Sequence, residues 1–584
     1  MTAPRLPEFL RRHADLSLSL LIFLFAVAVN LNTATSFFVG DDFDLVKEMG
    51  GISRWTGFLT YSFWGVQEPL WWLSLGADQR IWGLNPVGYH IQNILFHALT
   101  SLLVFWLALL LTERNRLCAL FSALIFITHP IHDEAIAYIS GRPHAIAAAF
   151  TLLTLLLYHL FREGKGWYFL PASLLALVVS LAAKEISFTL PVLVVLYELV
   201  YRLKAQAWRK SLGRGALVAF PYFVVLGAYI FVRARFLTVS RDKLAGAGRA
   251  GFRAILDNLL AQIHLQTLGE RLSSYLCMLF WPYPFSRLDY PGLKAALPCG
   301  IVLTAAALAA GLYLLYRWRR ETKFCRAALF SAAALFVMLL PTFHEELGLR
   351  RRYTYFASTA FAVFVGLLVW RLSTAKIGRP FPVRGAVCSL FAAFILVNTV
   401  LLIRNNENYH RSGEIARNVI EDISRGLRPG DREITLFLFG FPRFCGGDDM
   451  NGAYLFHHTD FRSAMLLFPH VVQLHLRYVF KTSFAERFHS DVRWIARDRA
   501  EITARFDDDE SFRISYFLKP GETDDNRFRT FEVLRVDPGA RDVQAVVRLR
   551  RAFFSSRPTY FFRYDGGHYF PVPWEASAPS LPPG

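Results

Sequence analysis

Charge is what this chain has least of for its size. Of 584 residues, 19% are Asp, Glu, Lys or Arg, whereas 54% are hydrophobic and 15% aromatic. A water-soluble fold of that length carries more charge and fewer long apolar runs, so a soluble class is excluded and a polytopic membrane protein is expected. Cysteine is also scarce, at six residues. Cys118, Cys277, Cys299, Cys325 and Cys388 lie in or beside apolar runs and Cys445 stands in a polar region without a partner there, which excludes a disulfide framework and a Cys/His zinc pattern. The first apolar run, "LSLSLLIFLFAVAVNLNTATSFF", holds no charge over more than about 20 residues and has no A-x-A site beside it, so it reads as an uncleaved span. No repeat with a period of about 20–50 residues is found, which excludes a solenoid.

The charge that is present is unbalanced, at +18. Its Lys and Arg gather in short segments between apolar runs, such as "YRLKAQAWRKSLGRG" and "YRWRRETKF". Membrane topology and anionic lipid account for that distribution, so nucleic acid is not an expected partner and membrane lipid is. Spans need about 20 mostly apolar residues, and about eleven are expected. They run over 16–38, 89–112, 117–131, 144–161, 167–183, 186–202, 215–233, 294–316, 325–343, 353–372 and 385–403. The segment 252–283 begins as an amphipathic, interfacial helix and is not counted. The positive-inside rule then puts the N-terminus in the cytoplasm and the polar loops 39–88, 130–143, 184–185, 234–293 and 344–353 on the outer face.

Beyond Arg404 the pattern changes. Residues 405–584 lack spans and show a charged helical stretch, "HRSGEIARNVIEDISRGL", and strand-like runs, "EITLFLFGFP" and "VVQLHLRYVF". The expected architecture is a multi-span membrane domain over 1–404, followed by a soluble outer α/β domain over 405–584 with a Pro-rich tail.

The outer loops hold the candidate chemistry. "FVGDDFDLV" puts Asp41, Asp42 and Asp44 just past the first span. They read either as helix caps and solvated loop residues, or as interfacial carboxylates able to take a proton from a hydroxyl. "HPIHDEAIAYISGR" brings His129, His132, Asp133, Glu134 and Arg142 into one loop. Pro130 breaks the helix that would align the two imidazoles on a metal, so a polar pocket wall or an interfacial hydrogen-bond network is expected instead. Lys184 and Glu185 read as an ion pair satisfied within itself or as a loop element of a site. Arg350, Arg351 and Arg352 with Tyr353 and Tyr355 read as snorkelling cations in an aromatic belt, or as guanidinium chemistry for a phosphate.

Together these residues resemble a known family. "FVGDDFDLV", "EPLWWLSLGADQRIWGLNPVGYHIQNILFHALTSLLVFWL" (68–107), "HPIHDEAIAYISGR" (129–142), "AAKEISFTLPVLVVLYELV" (182–200) and "RRYTYFAST" (351–359) are similar, in order, to GT-C glycosyltransferases. The nearest branch is that of protein O-mannosyltransferase-like proteins, including the transmembrane-plus-tetratricopeptide type. The C-terminal domain lacks the tetratricopeptide array and looks more like bacterial relatives. The resemblance implies a GT-C fold and an inverting hexosyltransferase, mannosyltransferase-like, that moves a sugar from a polyprenyl-phosphate donor to a hydroxyl of a protein, glycan or lipid. It implies that Asp41 or Asp42 is the catalytic base. His129, His132, Glu134, Arg142, Lys184, Glu185, Arg352, Tyr353 and Tyr355 would bind substrate, with Arg352 on the phosphate. The sequence departs from the family pattern at Glu68, where arginine is common, at His144 and Arg351, where acids are common, and at Ala357, where proline is common.

No cofactor is required for such a transfer, although the aspartates and Glu134 have the donor chemistry for a divalent metal. The rival readings are a transporter or flippase of a lipid-linked substrate, which calls for ionisable groups in mid-span, and a non-catalytic scaffold. The expected location is a bacterial inner membrane, with the C-terminal domain in the periplasm.

Overall fold

The computed structural model describes the chain outside residues 1–12, 62–67, 203–207, 237–264, 281–300, 344–349, 375–382 and 574–584, and outside short segments within 303–319 and 443–557. It divides into two units, Met1–Ala34 with Ile52–Asn406, and Thr35–Gly51 with Glu407–Gly584.

The first unit is helical, and the chain is a polytopic helical membrane protein. Among the described residues seven helices are long and apolar enough to cross a membrane: Ala14–Thr33, Pro86–Leu111, Ile139–Arg162, Leu212–Arg233, Thr322–Thr342, Arg351–Thr374 and Arg384–Gly426. Each answers to one of the eleven expected spans. The other four are not among these seven. Arg116–Thr128 and Phe169–Ala183 are helices of 13 and 15 residues, shorter than the roughly 20 that cross hydrocarbon. Over 186–202 the backbone changes type, from 3₁₀ at Glu185–Thr189 to α at Leu190–Tyr197 to π at Glu198–Arg202. Pro191, which has no N–H to give a preceding turn, sits where the α segment begins. The expected span 294–316 falls partly outside the described residues, as do residues 252–264 of the interfacial segment. The described remainder of that segment is a helix over Leu265–Phe280, with Ser274–Leu279 buried.

Helix ends follow local chemistry. The Asn85 side chain accepts from Val87 N, and Pro86 starts the 26-residue helix after it. Asn115 caps Arg116–Thr128 through Cys118 N, and Pro130 closes that helix into a 3₁₀ turn. Helices Arg116–Thr128 and Tyr355–Thr374 touch where a Cβ on Gly366 would lie 2.3 Å from Ser122 Oγ and 2.8 Å from Ser122 N. Only a glycine permits that approach of backbones.

The second unit is an α/β domain, as expected from "EITLFLFGFP" and "VVQLHLRYVF". Strand Glu433–Phe439 is buried along all but its first residue and pairs in parallel with Thr559–Asp565 on one side and Gln473–Tyr478 on the other. A strand covered on both faces favours such a continuous apolar run. Beyond Thr559–Asp565 the sheet continues through Phe488–Ala496, Arg499–Phe506, Asp542–Leu549 and Phe531–Pro538, all antiparallel. All but the last residue of the charged stretch 410–427 lies in the helix Val383–Gly426, where Ile415, Ala416, Val419, Ile420 and Ile423 form a buried stripe at helical spacing.

This unit also takes in residues 35–51, which the boundary read at Arg404 leaves with the spans. Aromatic burial is the reason. Phe43 stacks on Phe456 at 5.6 Å between centroids and Phe37 meets Phe468 at 5.4 Å. Gly40, at φ +50°, donates its N–H to Leu455 O at 2.9 Å.

Candidate functional site

The loop 129–142 is the organised centre of the first unit. It is a 3₁₀ turn (Pro130–His132), one α turn (Asp133–Ile136) and a second 3₁₀ turn (Ile139–Gly141). Asn93 holds it by donating to Ile136 O at 3.0 Å and Tyr138 O at 3.1 Å. Gly141 is required by packing, because a Cβ there would lie 2.3 Å from Glu134 O.

Two ion pairs join this loop to the "RRYTYFAST" segment. Asp133 Oδ2 lies 2.8 Å from Arg351 Nη1, with side-chain exposures of 0% and 4%. Glu134 Oε1 lies 3.2 Å from Arg352 Nη1, and Glu134 Oε2 accepts from Arg352 N at 3.0 Å. Burial raises the Glu134 carboxyl, but Arg352, Arg350 and Arg351, with the Arg352 N–H, outweigh it and hold the group below its ordinary value. The Arg352 side chain is 21% exposed, and its guanidinium lies 5.8 Å from the Tyr138 ring centroid and 5.6 Å from that of Tyr353. It is therefore a cation on a partly exposed side chain, held by an acid beside two rings.

Arg142 is arranged otherwise. It is fully buried, its Nη1 pairs with the Asp78 carboxylate at 2.6 Å from Oδ2, and its donors reach Asn93 Oδ1 at 2.6 Å, Tyr89 O at 2.8 Å, Gln92 Oε1 at 3.1 Å and Ser74 Oγ at 3.3 Å. Through Asn93 this network positions the loop that carries Glu134. His129 and His132 are buried too. His132 Nε2 meets Ser358 Oγ at 2.8 Å, His129 Nε2 meets Leu279 O at 2.9 Å, and the Tyr355 hydroxyl meets His97 Nδ1 at 2.9 Å. These imidazoles and Tyr355 form an interlocked interior, their rings 4.7–5.8 Å apart.

Lys184 and Glu185 are not a pair satisfied within itself. Lys184 Nζ lies 2.6 Å from Glu68 Oε1 and 3.5 Å from Glu185 Oε1. Burial lowers the Lys184 ammonium, but Glu185 and Glu68 overcome this and raise it. Glu68 is missing from the sequence-derived candidates. Its only local signal is an acid directly before Pro69, where a helix starts.

Asp41 and Asp42 belong to the second unit. Asp42 is buried at the first turn of the helix Asp42–Gly51 and accepts from Val39 N at 3.2 Å. Asp44 is buried and accepts a hydrogen bond from Ser463 Oγ. Asp41 is half-buried, and its backbone carbonyl accepts from Leu45 N. Among the described residues no group of three or more His, Cys, Asp or Glu side chains is placed to hold a metal.

Residues 44–241 match the protein-family profile described as dolichyl-phosphate-mannose-protein mannosyltransferase. This part of the chain is O-mannosyltransferase-like. It holds Glu68, His129, His132, Glu134, Arg142, Lys184 and Glu185, while Arg352, Asp41 and Asp42 fall outside the matched stretch. Within curated relatives, Protein O-mannosyl-transferase TMTC2 of Homo sapiens is 35% identical over 142 residues, which is 22% of this chain and 17% of the relative. Protein O-mannosyl-transferase Tmtc2 of Drosophila melanogaster is 30% identical over 212 residues, 32% of this chain and 22% of the relative. The chain thus spans roughly a fifth of the length of these relatives. Among solved structures, ArnT of Cupriavidus metallidurans in the apo state is 15% identical with a TM-score of 0.44, covering 72% of this chain and 82% of that one. The apo oligosaccharyltransferase of Archaeoglobus fulgidus is 13% identical with a TM-score of 0.45, covering 81% and 65%.

Proposed function

We propose that this chain is an integral-membrane glycosyltransferase that moves a sugar from a polyprenyl-phosphate donor to a hydroxyl acceptor on the outer face, with inversion at the anomeric carbon. The family match supports the donor class, since its description names a dolichyl-phosphate sugar. The observation that carries the reading is Arg352: a guanidinium on a partly exposed side chain, kept in place by Glu134 and flanked by Tyr138 and Tyr353.

The chemistry follows from that cation. The acceptor oxygen attacks the anomeric carbon opposite the phosphate, the carbon–oxygen bond to phosphate breaks, and its electron pair leaves with the polyprenyl phosphate. Arg352 offsets the charge that develops on the departing oxygen, an effect worth about 10²–10³ in rate when one such donor is removed. Glu134 fixes the guanidinium and is not itself a ligand of the sugar. A carboxylate takes the acceptor's proton, a step worth about 10²–10⁴. Asp41 is the member of the first-loop cluster assigned to it, because it is half-buried whereas Asp42 and Asp44 are buried. Phosphate is a good leaving group, so the reaction needs no metal. The assigned membrane is a bacterial inner membrane, with the C-terminal domain outside.

The test uses full-length protein in lipid vesicles with a panel of polyprenyl-phosphate sugars, and it follows release of polyprenyl phosphate with and without EDTA. Arg352→Ala is expected to lose about 10²–10³ in kcat/KM, with Arg352→Lys between it and wild type. Asp41→Asn should lose more than Asp42→Asn once folded protein is equalised. If no sugar is released from any donor, or both arginine variants turn over like wild type, the assignment fails.

A further inference from the structure

The group around Lys184 contains one cation and two carboxyls, and its geometry does not close if both are ionised. The Glu68 and Glu185 carboxyls converge on one ammonium, with Oε1 of each 2.6 and 3.5 Å from Lys184 Nζ. A carboxylate only accepts, so the two carboxyls can bond to each other only with a proton on one of them. The atoms agree. Glu68 Oε1 is taken by Lys184 Nζ at 2.6 Å, while Glu68 Oε2 and Glu185 Oε2 are both buried and receive no donor from the described residues. A buried oxygen without a donor is a substantial penalty, and a shared proton removes two at once.

We propose that Glu68 is a neutral carboxylic acid whose Oε2–H donates to Glu185, so that Glu68 positions Glu185 and Lys184 beside the transfer site. Glu68 carries the proton because its side chain is 0% exposed and Glu185 is 40% exposed, so desolvation falls mainly on Glu68. Burial and the neighbouring Glu185 push Glu68 up to about 8 against Lys184, whereas Lys184 and the Glu68 hydrogen bond outweigh burial and hold Glu185 down to about 2. Other charged or titratable groups acting on this cluster are Arg233 and Tyr229 from the helix Trp208–Phe236, Tyr353 and His144. Deprotonating Glu68 sets two carboxylates in contact, and the arrangement of Glu185 and Lys184 is lost.

The inference rests on the proposed transferase only where activity is read. An infrared measurement on the full chain in vesicles stands apart from it. The wild-type minus Glu68→Gln difference spectrum near neutral pH should contain a protonated-carboxyl band that disappears as pH rises through about 8. Glu185→Gln, which removes the acceptor, should shift that band, and it serves if Glu68→Gln does not fold. In turnover, wild type should decline on the alkaline side through the same range. Glu68→Gln, which still donates to Glu185 and accepts from Lys184, should lose that limb and retain more activity than Glu68→Ala. Absence of the carboxyl band from wild type overturns the proposal whatever the activity. So does a Glu68→Gln variant that is as impaired as Glu68→Ala, since that marks an ionised Glu68. If the band is present but no donor turns over, the proton assignment holds and the transferase reading fails.

Discussion

Replacing Arg142 by alanine separates a structural arginine from one that binds the donor. In the structure the guanidinium is fully buried, with five protein partners, and Asp78 opposite is fully buried as well. Truncation leaves the Asp78 carboxylate without its cation, and breaking a buried pair from one side costs about 3–5 kcal/mol. Asn93 Oδ1 and Tyr89 O also lose a donor, at about 1–3 kcal/mol each where water cannot enter. The sum rivals the roughly 5–15 kcal/mol total stability of a typical domain. Arg142→Ala should therefore express poorly, melt early in detergent and be nicked by protease in the loop 129–142, which Asn93 no longer holds. Removing both charges with Arg142→Met and Asp78→Leu should recover most of the stability, because no uncompensated charge is left buried. The assay is thermal unfolding of purified full chain, with limited proteolysis of the same samples. An Arg142→Ala protein that melts like wild type but releases no polyprenyl phosphate would refute this reasoning and return Arg142 to the substrate.

Two further outcomes are expected. Gly141→Ala puts a Cβ against the Glu134 carbonyl, and a backbone clash of that kind should destabilise by about 1–3 kcal/mol and lower turnover by displacing Glu134 from Arg352; thermal unfolding and kcat together check it. In the C-terminal unit, burial raises Asp565, but hydrogen bonds and charge from His489 and Arg563 outweigh it and hold the carboxyl below its ordinary value. A depressed carboxyl contributes stability above its unfolded pKa and loses it as pH falls through the folded one. Wild type should therefore lose part of its melting temperature in acid, and Asp565→Asn should show a flatter acid limb.

Much of the membrane part was readable from sequence, because the signal is local. A run such as 89–112 becomes the helix Pro86–Leu111 since about 20 apolar residues satisfy both the backbone and hydrocarbon. Asn85 and Pro86 mark its start in the same stretch of chain. Over 186–202, where length predicts a span, the chain is helical throughout but changes helix type, which length alone does not reveal. Strand Glu433–Phe439 was equally plain, its apolar run fitting burial on both faces.

The sequence by itself determined the class: a membrane chain with an O-mannosyltransferase-like stretch, an α/β domain after it, and a short roster of polar loop residues. Periodicity and composition act over a few turns, so they suffice for that. Only the tertiary structure decided how each polar residue is used. Glu134 meets Arg352 across 218 positions of sequence, and Lys184 turns from its neighbour Glu185 toward Glu68, 116 positions away. Arg142 and the imidazoles of His129 and His132 look like ligand groups as letters but lie inside the protein, bonded to it. The physical reason is desolvation. A buried polar group must find its partner wherever the fold brings one, and no spacing in the sequence encodes that distance.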